Sequence, residues 1–426
     1  MKKLVWVFIS FVPFIAFAQD TSGNLSDAEK IYGLSKVWSE TKYNFVYYNK
    51  LNFDWDSLYQ ANIPKVLATK STYDYYRILI RMVAMLDDGH SSIMTSELFH
   101  QLLYAPIRAN LVEGKVIVTE VSNDTLKDIK IGDEILEIND MNAVDYATKN
   151  VAPYVNASSE QNKLVETYYY RLLQGNINEP IKFKIQNLDG KIFTVQFSRK
   201  LNSSHSLFSV PQITFKLLKD SIGYLVLNSF NGNLDAYKIK FDSIYSQILK
   251  TKSLIIDVRM NSGGNTEFGY YVLSHLVNKP FLGSSWRTRE YRPAYRAWNE
   301  HNGWSWFGED ADSVPPYKGQ LYLKPAVLLT SPVTFSAAED FCVAFDAAKR
   351  GLKIGQPTGG STGQPLSVSL PGGGSFHVCT KEDTYPDGKK FVGIGIIPDI
   401  PVSPTVQSIR SGDDVVLDKA IEVLSK

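Results

Sequence analysis

Between residues 26 and 86 apolar side chains recur at spacings of three and four. Ile31, Leu34, Val37 and Trp38 form one such series, and Tyr76, Ile78, Leu79, Met82, Val83 and Leu86 another. That period predicts helices that bury one face. Ser26 or Asp27 stands where the first helix needs an N-cap, and Asp87-Asp88-Gly89 ends the last, with Gly89 as a left-handed cap. His90-Ser91-Ser92 therefore follows a helix end, on a loop or at the start of a strand. From about 103 to 199 the pattern shortens to strands. Val116-Ile117-Val118 and Ile135-Leu136-Glu137-Ile138 are two of them, and 181–185 and 193–197 read as a hairpin closed through Asp189-Gly190. From about 209 to 401 unbroken apolar runs (222–227, 254–258, 326–330) are each followed by a helical stretch (234–249, 267–277, 337–349). Runs without alternation belong to parallel strands buried on both faces. Ligands of such sheets gather at the carboxyl ends of the strands, where residues 261–264 and Ser336 fall. The expected fold is α+β and multidomain: a helical region (24–100), a β-rich domain (103–200), an α/β domain with a largely parallel sheet (205–402) and a C-terminal helix within 403–426.

Composition narrows the class. A 426-residue chain that is 44% hydrophobic and 21% charged is that of a globular protein with real cores, and a net charge of +1 offers no case for nucleic acid. Lys2 and Lys3, the apolar run 4–17 and Ala16-Phe17-Ala18 fit a cleaved leader of 18 residues, so export to the periplasm or beyond is expected. The run is short for a membrane span, and no cysteine follows it to carry a lipid. Cys342 and Cys379 are the two cysteines; export permits their pairing, and burial as free thiols is the other reading. Neither has metal-ligand spacing, the histidines form no HxxxH or HExxH pattern, and no phosphate-binding glycine motif is present. No metal or cofactor is expected.

Ser336 stands between a predicted strand and a predicted helix, where helix amides can face whatever its side chain attacks. A serine needs a neighbouring base to act as a nucleophile. The same stretch, with Glu339 three residues on, equally fits a capping box. His90, taken alone, reads as well as a structural histidine. Residues 284–318, rich in Trp and Tyr, read either as a cover of a cleft or as a satellite core.

Four segments in order change that weighting: Leu86-Asp87-Asp88-Gly89-His90-Ser91, then 255–264 (IIDVRMNSGG), 328–339 (LLTSPVTFSAAE) and 393–399 (GIGIIPD). In this the chain resembles the C-terminal processing and tricorn-core serine peptidases. Gly132-Asp133-Glu134-Ile135-Leu136-Glu137-Ile138-Asn139 resembles the signature of PDZ domains, which take free chain ends at a sheet edge; a β-rich spacer without ligand is the alternative. The resemblance implies a crotonase-like α/β catalytic domain with Ser336 as nucleophile. It implies oxyanion donors at the amides of Ala337 and Gly264, with Gly263 close by, and a turn shaped by Arg259 and Asn261. Ser361 stands where many members place a lysine, and no lysine lies between Lys353 and Lys381, so a Ser-Lys dyad requires Lys381. The tricorn-like alternative makes His90 the base, oriented by a serine and a glutamate. The glutamate expected before Pro398-Asp399 is missing, with Val392 in its place. Glu382, Asp383 and Asp387 are the candidate substitutes; Asp387 is preferred among them, with a plain turn aspartate as its alternative reading. The expected function is an extracytoplasmic serine endopeptidase acting on polypeptides. The competing reading is an inactive relative that binds peptides or small apolar ligands. An esterase is disfavoured, because no Gly-x-Ser-x-Gly surrounds Ser336. The motifs leave the oligomeric state open.

Overall fold

Three helices open the described chain: Asp27–Asn44, Trp55–Ala68 and Thr72–Ala84. The computed structural model describes residues 24–95, 102–121, 128–176, 179–199 and 210–426, so the expected leader lies outside the described residues. Ser26 caps the first helix in a full capping box with Glu29, and Ser71 caps the third. Their apolar faces close on another part of the chain. Leu34, Val37, Tyr75, Tyr76 and Leu79 share one core with Leu370, Phe376, Val378 and Cys379. Strand Ser92–Thr95 pairs antiparallel with Gly374–Cys379, which in turn pairs with Pro365–Ser369. His90 is therefore held between a packed helix and a paired strand.

Gly89 does not cap. The third helix closes at Ala84, and the left-handed residue beyond it is Asp87, at φ 46°. Asp tolerates that conformation better than most side chains. Gly89 answers a tertiary need instead. A Cβ there would lie 2.9 Å from Phe335 Cζ and 3.0 Å from Ser361 Oγ.

The next region is an antiparallel sheet with strands Ile107–Val112, Lys115–Val121, Glu134–Ile138, Ile181–Gln186 and Ile192–Phe197 in that order. Ile107, Ala109, Val118, Ile135, Ile138 and Phe183 lie in its core. The segment between Ala152–Tyr154 and the helix Glu160–Leu164 leaves this module and docks on the chain near 359: Ser159 Oγ donates to Gly359 O at 2.6 Å.

A second sheet runs Ile213–Leu217, Ile222–Leu227, Ser253–Asp257, Ala326–Thr330, Leu352–Gly355 and Ile400–Pro401. Its first strand is antiparallel to the second, and the others are parallel. Ser253–Asp257 and Ala326–Thr330 are buried at every residue, as unbroken apolar runs require. Alternate residues feed opposite cores. Leu254, Ile256 and Leu328 join the core with Phe341 and Phe345, whereas Ile255, Val327 and Leu329 join that of the C-terminal helix Val415–Leu424. Cys342 and Cys379 are free and lie in separate cores, so no disulfide forms. The aromatic segment folds as a hairpin, Ser285–Tyr291 with Trp304–Glu309, and its first strand also pairs with Glu382–Thr384. Arg289 lies 3.7 Å from the Trp304 ring and donates to Phe45 O at 2.8 Å, which fixes the hairpin to the helical region. Among the described residues no helix is long and apolar enough to cross a membrane.

Candidate active site

Ser336 begins the helix Ala337–Ala347 at φ 55° and ψ −129°, a conformation that costs a non-glycine residue about 1–3 kcal/mol. Surrounding hydrogen bonds hold it there. Ser336 N donates to Ser361 O at 3.0 Å, and Phe335 N to Asn261 O at 3.0 Å. Glu339 supplies the carboxylate half of the capping box, receiving Ser336 N at 3.3 Å. The serine hydroxyl, however, is turned to His90, with Oγ 3.0 Å from Nε2.

His90 lies face to face with Phe335, ring centroids 4.9 Å apart at 12°. Its Nδ1 is 2.9 Å from Ser361 Oγ. With Nδ1–H donated to Ser361, Nε2 is left as the acceptor for the Ser336 hydroxyl, which is the tautomer a general base needs. Burial, and then the charge of Lys381, lower the imidazole to about 4, so it is neutral near pH 7.

Lys381 is engaged away from Ser336. Its ammonium is paired with Asp383 at 2.9 Å, and among the described residues it makes no hydrogen bond to Ser336. The three carboxylates expected to orient His90 are all turned elsewhere. Asp387 is exposed in the turn after Tyr385, where its Oδ1 accepts Lys389 N at 3.0 Å, so the structure does not bring it to the imidazole. The turn is closed by its own backbone bonds, Tyr385 N to Lys389 O and Gly388 N to Tyr385 O, which keep the side chain outside. Glu382 faces Arg287 and Lys50, and Asp383 faces Lys381. The contact that sequence reasoning missed is Ser361, noticed only as the place where a lysine is lacking. A hydroxyl in Gly359-Gly360-Ser361 was the available signal. Glu339 was also read too narrowly. It is wholly buried and accepts from Thr358 Oγ1 at 2.5 Å, Gly360 N at 2.7 Å and Ser361 N at 2.8 Å. Burial pushes its carboxyl up to about 8 against those donors. Through them it fixes the main chain of the segment that carries Ser361.

The glycine turn lies against Ser336. Gly263 and Gly264 adopt φ 97° and 134°. Gly263 N donates to Asn261 Oδ1 at 2.9 Å, and buried Asn261 reaches Leu227 O through Nδ2 at 3.0 Å. Among the described residues the amides of Gly264 and Ala337 have no hydrogen-bond partner. Ala337 N also opens a helix, where the backbone favours negative charge. Beside this turn opens a cleft of about 1170 Å³, lined by Phe335, Ser262 and Pro332 together with Arg77, Tyr154 and Tyr170.

Residues 221–402 match the family model for peptidase family S41. The chloroplastic C-terminal processing peptidase of Tetradesmus obliquus is 28% identical over 190 residues, which is 44% of this chain and 36% of that protein. The match thus spans little more than a third of the curated relative's length. Mature CPAF complexed with lactacystin has the same fold, with a TM-score of 0.71 at 15% identity over 93% of this chain and 98% of that one. The photosystem II D1 C-terminal processing protease gives 0.52 at 19% identity over 93% and 97%. The stretch similar to peptidase family S41, residues 221–402, is the one that carries Ser336 and the glycine turn.

Proposed function

We propose that the protein is a serine endopeptidase acting on extracytoplasmic polypeptides, with Ser336 as nucleophile and His90 as general base. The observation that carries this reading is the 3.0 Å contact between His90 Nε2 and Ser336 Oγ, made by an imidazole whose other nitrogen is engaged. As Oγ attacks the scissile carbonyl carbon, Nε2 takes the hydroxyl proton. The carbonyl oxygen becomes an oxyanion that the amides of Ala337 and Gly264 receive. Collapse of the intermediate breaks the C–N bond, and His90 returns the proton to the leaving amine. Water then attacks the acyl-enzyme with His90 again as base, releasing the acid and free Ser336. The cleft beside Phe335 supplies room for an extended chain. The module of residues 103–200 is read as PDZ-like; its strand Ile107–Val112 stands at an edge of the sheet, where a free chain end could pair. The extracytoplasmic setting rests on the leader pattern of residues 1–18.

The test is cleavage of an unfolded polypeptide by the mature chain and by Ser336→Ala. Cleavage in the first and none in the second is expected. Equal cleavage by both would remove Ser336 from the chemistry, and cleavage by neither would favour a binding role on the same scaffold.

A further inference from the structure

We propose that Asp88 is the anion that orients His90, acting as a positioning residue through two hydroxyls, those of Ser361 and Ser158. The proposal rests on the reading of Ser336 and His90 as nucleophile and base, and it fills the place left by the missing glutamate. The links are short and continuous. His90 Nδ1 lies 2.9 Å from Ser361 Oγ, Ser361 Oγ 2.9 Å from Ser158 Oγ, and Ser158 Oγ 3.3 Å from Asp88 Oδ1.

Proton counting fixes the ring end of the chain. Each hydroxyl has one proton to donate. When Ser336 donates to Nε2, Nδ1 bears the ring proton and Ser361 must accept it. Ser158 Oγ in turn is placed to donate both to Ser361 Oγ and to Asp88 Oδ1, so its one proton ties the Ser361 hydroxyl and the carboxylate to the same atom. Gly89 N donates into Ser158 Oγ at 2.9 Å and holds that hydroxyl from the turn that carries Asp88 and His90. When Nε2 takes the Ser336 proton, the imidazolium so formed has the Asp88 carboxylate behind two hydroxyls. No further proton moves; the relay stabilises charge and holds the ring.

The end of the chain is built for this task. Asp88 is 1% exposed, and its other oxygen accepts Ser91 Oγ at 2.6 Å. It precedes His90 by two residues, so one turn carries both the base and the anion. Glu339 is another buried carboxylate nearby, but it meets Ser361 through the backbone amide and leaves the hydroxyl untouched. The three donors and acceptors come from three parts of the chain: Asp88 follows the helical region, Ser158 belongs to the segment leaving the antiparallel module, and Ser361 follows the fifth strand of the parallel sheet.

The experiment compares wild type, Ser158→Ala, Ser158→Thr, Asp88→Asn and the Asp88→Asn/Ser158→Ala double variant, with Ser336→Ala as control. Steady-state cleavage of an unfolded polypeptide and thermal melting are measured for each. Ser158→Ala and Asp88→Asn should each lower kcat about 10- to 100-fold, the effect of losing one hydrogen bond to a charged group, with KM within about twofold. The double variant should lose no more than the worse single one, because both break the same relay. Ser158→Thr keeps the hydroxyl and should recover most of the rate. Folded Ser158→Ala at wild-type rate overturns the proposal even if Asp88→Asn fails to fold, and so do additive losses in the double variant. Cleavage that survives Ser336→Ala would instead overturn the underlying assignment of the nucleophile.

Discussion

Gly263→Ala is a sharp perturbation of the proposed catalytic geometry, because the added methyl points at Ser336. A Cβ at Gly263 would lie 2.7 Å from Ser336 Cβ, 2.7 Å from Phe335 O and 2.9 Å from Ala337 N. Carbon atoms rest at about 3.5–4.0 Å, so Ser336 must yield by roughly 1 Å. A misplacement of about 1 Å costs on the order of 10²-fold in rate. The backbone adds its own cost, since φ 97° is unfavourable for alanine by about 1–2 kcal/mol, and overpacking adds about 1–3 kcal/mol. A domain stable by about 5–15 kcal/mol survives that loss in most of the range. The assay is kcat and KM on a fluorogenic unstructured polypeptide, below the melting temperature of the variant. kcat/KM should fall about 10²-fold or more while KM stays near wild type, because Arg77, Tyr154 and Tyr170 of the cleft are not among the atoms the methyl meets. Gly264→Ala is the comparison. Its methyl would meet Phe230 O at 2.3 Å, so its first effect is on stability. A folded Gly263→Ala enzyme keeping more than about a tenth of wild-type kcat/KM would refute the placement of this turn against Ser336.

Other expectations are as direct. His90 is lowered to about 4 by burial and Lys381, so the acid limb of kcat/KM should lie well below the ordinary 6.5 of histidine. The same shift has a sign for stability. Above pH 6.5 both folded and unfolded His90 are neutral, and between 6.5 and about 4 only the unfolded state gains the proton. Stability is therefore lost as pH falls through that window, and urea unfolding at pH 7 and pH 5 should show a smaller loss for His90→Ala than for wild type. Arg259 pairs with Asp257 at 2.7 Å and with both oxygens of Asp414, at 2.7 and 2.8 Å, tying the C-terminal helix to the glycine turn. Arg259→Lys cannot reproduce that fork and should lower the melting temperature and kcat together, by a factor of about 3 to 10 in rate. Asp387→Asn should leave kcat/KM within about twofold of wild type, since the side chain caps only its own turn.

What the sequence makes legible follows from where the determining forces act. The parallel strands were readable because 254–257 and 326–330 are buried on both faces, so their apolar runs are unbroken. The contact between His90 and Ser336, 246 residues apart, was expected from motif order, and the geometry brings the two together. Composition and periodicity alone left each with a structural alternative. The partner of Nδ1 was not legible. Ser361 lies 271 residues from His90, and only the path of the 355–365 loop, fixed by buried Glu339, turns its hydroxyl to the ring. Gly89 was misread for a similar reason: a cap is a local need, whereas the space it leaves for Phe335 and Ser361 is a tertiary one. The helical region likewise gave no sign that its core would close on Leu370, Phe376 and Val378.

The central claim is that Ser336 is a nucleophile activated by His90, and labelling with a fluorophosphonate reaches it most directly. Wild-type protein should be modified once, at Ser336, and His90→Ala should slow that labelling by about 10²–10⁴-fold, the range of a lost general base. Labelling at another residue, or an unchanged rate in folded His90→Ala, would contradict it.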